Sequence, residues 1–251
     1  MRDRFRAFWI HLLISAAVLG VLFFIIFWFW YPAPYFQVKG AAGIILVLIG
    51  VDLVAGPLLT FLVYNREKKS LKFDLSVIVL IQLVALVYGT HAIWSERPYF
   101  NVFLLDRYNV LAAKDVDFAQ IDDPRFLEKP WRGPLMLVAR MPTDPAELSR
   151  LNDEVMFQGL PDLDRRPDYW QPYGEQVETV MLTAETVTAL KEQRPQAVAD
   201  IDRAIQRSGL QESALVFVPI IGRNGDFAVI VERQTGRILD AVAVNPWLSG
   251  R

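Results

Sequence analysis

The run Gly40–Tyr64, GAAGIILVLIGVDLVAGPLLTFLVY, leaves a folding chain few options. Its 25 residues are apolar enough to cross a bilayer as a helix, yet Asp52 stands at its centre. Four residues on comes Gly56-Pro57, a pair that a membrane helix tolerates only when its freed backbone groups find other partners. An ionisable side chain at that depth costs at least a few kcal/mol, so it marks a candidate functional site.

Two further apolar runs flank this one. Phe8–Trp30 follows MRDRFRA, with Arg2, Arg4 and Arg6. Leu75–Trp94 follows NREKKSLKFD, with Arg66, Lys68, Lys69 and Lys72. At about 23 residues the first run exceeds the roughly 7–15 of a cleavable signal segment, and it ends in bulky IIFWFWYP. It reads as an uncleaved signal-anchor helix, with Trp9 at one interface and Trp28, Trp30 and Tyr31 at the other. Pro32 and Pro34 stop it and open a short loop, YPAPYFQVK. Three transmembrane helices are therefore expected, at about 8–30, 40–64 and 75–94. The two basic segments predict a cytoplasmic N-terminus and a cytoplasmic 65–74 loop. Everything after Trp94 then lies outside the cytoplasm, giving a membrane domain 1–96 and an exported domain 97–251.

On an α-helix Asp52, Ala55, Gly56, Leu59 and Thr60 share a face, whose small residues admit a close neighbour. Pro57 has no N–H, so the carbonyl of Leu53 is expected to need another donor. Gln82 on the third helix and Ser15 on the first lie at comparable depth and can hydrogen-bond a neutral Asp52. Three roles stay open: packing between the protein's own helices, docking of a partner's transmembrane segment, or a proton or ion relay. Asp52, Gly56, Pro57 and Gln82 are the candidate partner-binding residues of this half.

Composition divides at the same place. Residues 1–96 hold eight Lys/Arg and five Asp/Glu, whereas residues 97–251 hold eighteen and twenty-three, as an ordinary soluble domain does. The latter half reads as α+β with an antiparallel sheet. A hairpin is expected in Arg97–Ala113 around Asp106-Arg107, and a strand at Leu135–Arg140. Asp144, Pro145 and Glu147 begin a helix that stops at Gly159. A second helical region, 184–208, breaks at Arg194-Pro195 and closes at Gly209. The meander 215–221, 227–231 and 238–244 turns first at Arg223-Asn224-Gly225-Asp226. Between these, residues 160–176 form a proline-punctuated loop with exposed-looking Tyr169, Trp170 and Tyr173; packing of these rings onto the domain is favoured, and Tyr169 and Trp170 are the candidate contacts should the loop bind a partner.

Several function classes receive no support. The chain has no cysteine, which removes disulfides, thiolate metal sites and cysteine nucleophiles. His11 and His91, both near predicted helix ends, do not make a metal cluster by themselves. No cofactor motif, phosphate loop or nucleophile elbow is present, and the carboxylate pairs Asp115/Asp117, Asp122/Asp123 and Asp162/Asp164 fall in loops where charge is usually solvated. No basic, aromatic-interleaved surface suggests nucleic acid. The expectation is a protein without catalytic residues, metal or cofactor.

The run GVDLVAGPLLT (residues 50–60), the later KKSLKFDLSVIVLIQLVALVYG (68–89) and Arg97-Pro98-Tyr99 leading into VFLLDRYNV resemble the type IV pilin accessory proteins, the TfpX/TfpZ group. The resemblance covers roughly residues 8–112. It implies an inner-membrane, non-enzymatic protein, encoded with pilins, that assists production or surface assembly of type IV pili.

On this basis the leading expectation is a chaperone-like accessory protein with a periplasmic domain. A pilin before assembly has one apolar helix in the bilayer and a globular head outside. The Asp52 face would meet that helix, and the exported domain would meet the head. The alternative is a membrane-anchored envelope sensor whose α+β domain binds a ligand.

Overall fold

A computed structural model describes residues 1–247 of the chain. Two compact units form: Met1–Trp30 with Ala41–Glu96, and Tyr31–Gly40 with the chain from Arg97 onward.

The first unit consists of three helices long and apolar enough to cross a membrane: α1 (Arg2–Trp30), α3 (Ala42–Val63) and α4 (Leu71–Ser95). Helices α1 and α4 begin earlier than the apolar runs predict. Arg2, Arg4, Lys72 and Asp74 are compatible with helix although they end the hydrocarbon-compatible stretch, so hydropathy marks the span and not the helix end. Helix α3 is the central one: a third of its apolar window is buried, against 11% in α1 and 6% in α4. The outward flanks carry bare apolar side chains such as Leu13, Leu46 and Val84. Such surface has no place in water and identifies a membrane-associated unit.

Residues 31–39, expected as a loop, and Gly40, expected to open the second membrane helix, instead build part of the second unit. After the Ala33–Pro34 cis bond, α2 (Tyr35–Lys39) forms one short helix closed by Gly40 at φ 64°. Tyr35 and Val38 lie in the core with Phe103, Tyr108 and Val218. Arg223 N donates to Val38 O at 2.9 Å, and a Cβ on Gly40 would press on Asn224. Tyr31, expected at a headgroup belt, is 1% exposed. The cause is tertiary: five residues are too few to hold a helix alone.

The remaining elements are β1 (Phe100–Leu104), β2 (Arg107–Leu111), β3 (Leu135–Ala139), α5 (Pro145–Gln158), β4 (Trp170–Pro172), α6 (Val177–Thr183), β5 (Glu185–Thr186), α7 (Val187–Gln193), α8 (Val198–Ser208), β6 (Leu215–Ile221), β7 (Phe227–Glu232) and β8 (Ile238–Val242). The sheet runs β4-β3-β1-β2-β6-β7-β8, with β5 paired to β6. It is antiparallel-rich but mixed, since β1 pairs β3 and β2 pairs β6 in parallel. Strand β6 reads as a continuous apolar run because both its faces are covered. Val216, Val218 and Ile220 face the Tyr35 cluster, and Leu215 and Phe217 face α7 and α8.

The helix ends follow the expected chemistry. Asp144 accepts from Ala146 N at 3.0 Å at the start of α5, while Gly159 and Gly209 close α5 and α8 at φ 68° and 71°. In the 160–176 segment the aromatic side chains look exposed in the sequence but pack onto the domain, the reading favoured over partner binding. Trp170 is 5% exposed, donates Nε1–H to Asp164 O at 3.1 Å and lies 4.9 Å from the Phe100 ring. Tyr173 is also buried, and Tyr169, half-buried, donates to Glu147 at 2.7 Å. Three aromatic rings supply more apolar area than a loop this short leaves in water. Asp164 is buried as well, not solvated, and burial pushes its carboxyl up to about 6, with Asp162 adding to the effect and Arg165 opposing it.

Two predictions follow from this unit. Asn101 is fully buried and donates to the Tyr35 hydroxyl at 3.0 Å, so Tyr35→Phe strands a buried amide donor. A loss of about 1–3 kcal/mol in unfolding free energy is expected by denaturant titration in detergent. Asp164 holds its proton in the fold at a pH where the unfolded chain has released it, so stability falls as pH rises from about 4 to about 6. Asp164→Asn should abolish that slope and stabilise the domain at pH 7 by about 1–3 kcal/mol, read from unfolding midpoints across that window.

Candidate functional site

The candidate site forms where α1, α3 and α4 meet in the first unit. Within α3, residues Gly50–Ala55 adopt a π-helical turn, and Gly56 N–H bonds back five residues to Val51 O. The next residue is Pro57, which has no N–H to give. In this register the carbonyl it leaves open is that of Asp52, one residue earlier than the α-helical expectation of Leu53. Gln82 of α4 supplies the missing donor, its Nε2 lying 3.4 Å from Asp52 O and 3.3 Å from Asp52 Oδ1. Both bonds are long, so the amide is shared between two acceptors.

The rest of the network follows from that contact. A backbone carbonyl only accepts, so the amide nitrogen of Gln82 faces α3 and its Oε1 faces away. His11 Nε2 lies 2.7 Å from Oε1, and His11 Nδ1 lies 2.7 Å from Thr60 Oγ1. A neutral imidazole therefore carries its proton on Nε2 and accepts at Nδ1 from the Thr60 hydroxyl. The chain links Thr60, His11, Gln82 and Asp52, with His11 donating to Gln82 and Gln82 to Asp52. Asp52, Thr60 and Gln82 are 5%, 4% and 9% exposed. Asp52 Oδ2 ends the chain without a partner among the described residues.

Glycine makes the close approach possible. A Cβ on Gly56 would overlap the Gln82 amide, whereas one on Gly50 would meet nothing within 4 Å. The expected face of α3 is adjusted by the π-turn: Asp52, Gly56, Pro57 and Thr60 are buried, but Leu59 is 43% exposed.

Above this network lies a cleft of about 650 Å³ that opens sideways between α1 and α4. Ile10, Ile14 and Val18 line one wall, and Val79, Leu83 and Leu86 the other. Asp52 and Thr60 of α3 lie between them, and Ser15, expected as a partner of Asp52, lines the same space. One end carries Asp3, Arg6 and Arg66, with Asp3 and Arg66 paired at 3.0 Å. Toward the other end, Trp30 and Trp94 meet at 4.8 Å.

His11 is the member that sequence reasoning missed. Its run began at Phe8, which put His11 near a helix end, while the helix starts at Arg2 and places it in the third turn. A usable signal was present, because His11, Ser15 and Val18 share one helical face.

The carboxylate pairs do not assemble a catalytic set. Asp115, Asp117, Asp123 and Asp162 accept backbone N–H groups that begin short 3₁₀ turns. Among the described residues no cluster of His, Asp and Glu is arranged to hold a metal. Tyr169 and Trp170 belong to the second unit and take no part in the membrane cluster.

Fold and site together define a class: a protein of three apolar, membrane-length helices with a polar network between them, joined to a mixed-sheet α+β domain. Its relatives give the family. The chain is 31% identical over 231 residues to the fimbrial assembly protein of serogroup I of Dichelobacter nodosus, covering 90% of this chain and 89% of that one. The serogroup E1 protein of the same organism matches with the same identity and coverage. The protein of serogroups C1 and C2 is 39% identical over 109 residues, 43% of this chain and 83% of its own length. A family model described as fimbrial assembly protein FimB matches residues 1–40. The chain belongs to the fimbrial assembly protein family. No solved structure matches it significantly.

Gly56→Ala should push the Gln82 amide off α3 and cut the chain that ends on Asp52. An unfolding free energy lower by about 1–3 kcal/mol is expected in mixed micelles. Gly50→Ala, with open space around it, should stay within about 0.5 kcal/mol of the parent.

Proposed function

We propose that this protein is a non-enzymatic, chaperone-like accessory of the bacterial inner membrane that assists production, stability or surface assembly of a type IV pilin. The observation that carries the reading is the apolar-walled cleft between α1 and α4, with Asp52 and Thr60 of α3 at its floor. Three helices held through a short polar chain leave this space to be filled by lipid or by a further helix. The relatives' names point to fimbriae as the object of assembly. The basic N-terminus and the basic 65–74 loop support a cytoplasmic placement of both, which leaves the α+β domain on the periplasmic side.

In this reading the pilin's apolar helix enters the cleft from the lipid while its head meets the periplasmic domain. Two weak contacts on one tether give an avidity that neither provides alone. Asp52, Gly56, Pro57 and Gln82 act together: glycine and proline shape the turn, glutamine holds the carboxyl, and the carboxyl meets the guest. The alternative of a ligand sensor would use the recess of about 410 Å³ edged by Pro34, Tyr35, Met136 and Tyr173. The hydroxyls there are already engaged, Tyr35 with Asn101 and Tyr173 with Gly236 O, which weighs against it.

The test is co-purification of the pilin encoded with this protein from detergent-solubilised membranes, alongside a count of surface pili. Asp52→Leu should reduce pilin recovery several-fold and lower piliation. Unchanged recovery and piliation would remove the membrane half of the proposal.

A further inference from the structure

We propose that the loop 127–133 of the second unit, together with Arg97, binds the phosphate headgroup of an anionic phospholipid at the bilayer surface, with Trp131 set into the headgroup layer. The inference rests on α1 and α4 crossing the membrane and goes beyond the assembly reading, since it needs no pilin.

Three observations lead to it. The first is position. Helices α1 and α4 end at Trp30 and Ser95, so Pro32 and Arg97 each lie two residues, about 7 Å of chain, beyond a membrane span. The loop packs on these exits. A Cβ on Gly133 would lie 3.4 Å from Pro32 Cγ, Arg132 and Pro32 line one recess, and the Lys129 ammonium is 5.8 Å from the centre of the Tyr99 ring. The second is charge. The Arg97 guanidinium is 5.6 Å from the centre of the same ring, so two cations gather around one tyrosine. Lys129 gives two of its three N–H donors to Pro130 O and Gly133 O, at 3.0 and 2.6 Å. The third has no hydrogen-bond partner among the described residues. Burial, with the Arg97 charge adding to it, holds the Lys129 ammonium below the ordinary lysine value, and an anion beside the pair offsets both effects. Exposed Arg132 is a third cation; against the three, the same stretches carry two carboxylates, Glu96 and Glu128. The third observation is the apolar content of the loop: Trp131 is 71% exposed and Leu127 48%. An indole beside Lys and Arg suits a headgroup layer, where the ring meets the acyl boundary and the cations meet phosphate. A soluble acidic partner would use the cations alone, and would not call for a place at both chain exits.

The chain contains no cysteine, so a single-cysteine reporter carries no background. The full-length protein with a bimane dye at Leu127→Cys is placed in phosphatidylcholine nanodiscs. These contain, at equal low mole fraction, either phosphatidylglycerol or phosphatidylcholine with a nitroxide high on the acyl chain. Both labelled lipids should quench the dye, and phosphatidylglycerol should do so as though about 3- to 5-fold enriched at the loop. Arg97→Gln and Arg132→Gln leave the Lys129 bonds within the loop in place. Each should bring that enrichment below about 2-fold while quenching by phosphatidylcholine persists. Trp131→Ser should lower quenching by both lipids at least about 2-fold.

Absence of quenching by either lipid would put the loop in solvent or on a protein partner and overturns the inference. Equal quenching by the two lipids, or a phosphatidylglycerol preference that survives both arginine substitutions together, overturns it as well. Co-purification of the pilin separates the two levels. Lipid preference without pilin recovery overturns the assembly reading and leaves this inference standing; pilin recovery without lipid preference does the opposite.

Discussion

A carboxyl group placed in hydrocarbon has to find its hydrogen bonds within the protein, and the membrane unit is arranged around that requirement. Apolar side chains have no preference for one another over lipid tails, so they do not by themselves fix where three helices meet. The polar chain does. It takes one residue from α1, one from α4 and two from α3, and ties all three together in the membrane interior. The π-turn belongs to the same arrangement, because it moves the carbonyl freed by Pro57 onto Asp52, where one Gln82 amide serves both acceptors. Gly56 is the space in which that amide lies.

The same arrangement explains why the unit is not a closed bundle. Helices α1 and α4 each pack against α3, and the polar groups that attract them are gathered along one strip of it. Both are held by the strip, and their apolar flanks diverge above it. The cleft is thus a geometric result of tying two helices to a third through a short polar chain. The chain has no cysteine, and among the described residues no cluster of His, Asp and Glu is arranged to hold a metal.

Much of this was legible in the sequence, and the misses share a cause. Asp52, Gly56 and Gln82 could be found because each breaks an apolar run, and a rule broken inside a membrane helix calls for compensation. His11 was lost because hydropathy begins a span where charge ends, whereas the backbone continues helical through Arg4 and Arg6. An α-helical register points to the carbonyl of Leu53 and not Asp52, because a π-turn shifts the register by one and leaves no trace in composition. In the second unit, Asp144 and Gly159 were readable since caps are local. Trp170 looks exposed in the sequence because the rings that cover it, Phe100 and Phe126, are distant along the chain, and Asp164 reads as solvated because it falls in a loop. The family resemblance was visible over residues 8–112, and the relatives extend it across 90% of the chain.

The segment Tyr31–Gly40 makes the second unit discontinuous in the gene. Its core is encoded in two pieces, with the whole of α3 and α4 written between them. Recombination that exchanges everything from Arg97 onward would leave Tyr35 and Val38 of one parent facing Asn101, Phe103 and Tyr108 of another. Relatives can therefore trade this domain only when the two pieces travel together or already agree. Inheritance of the domain is thereby linked to inheritance of the membrane helices that interrupt it.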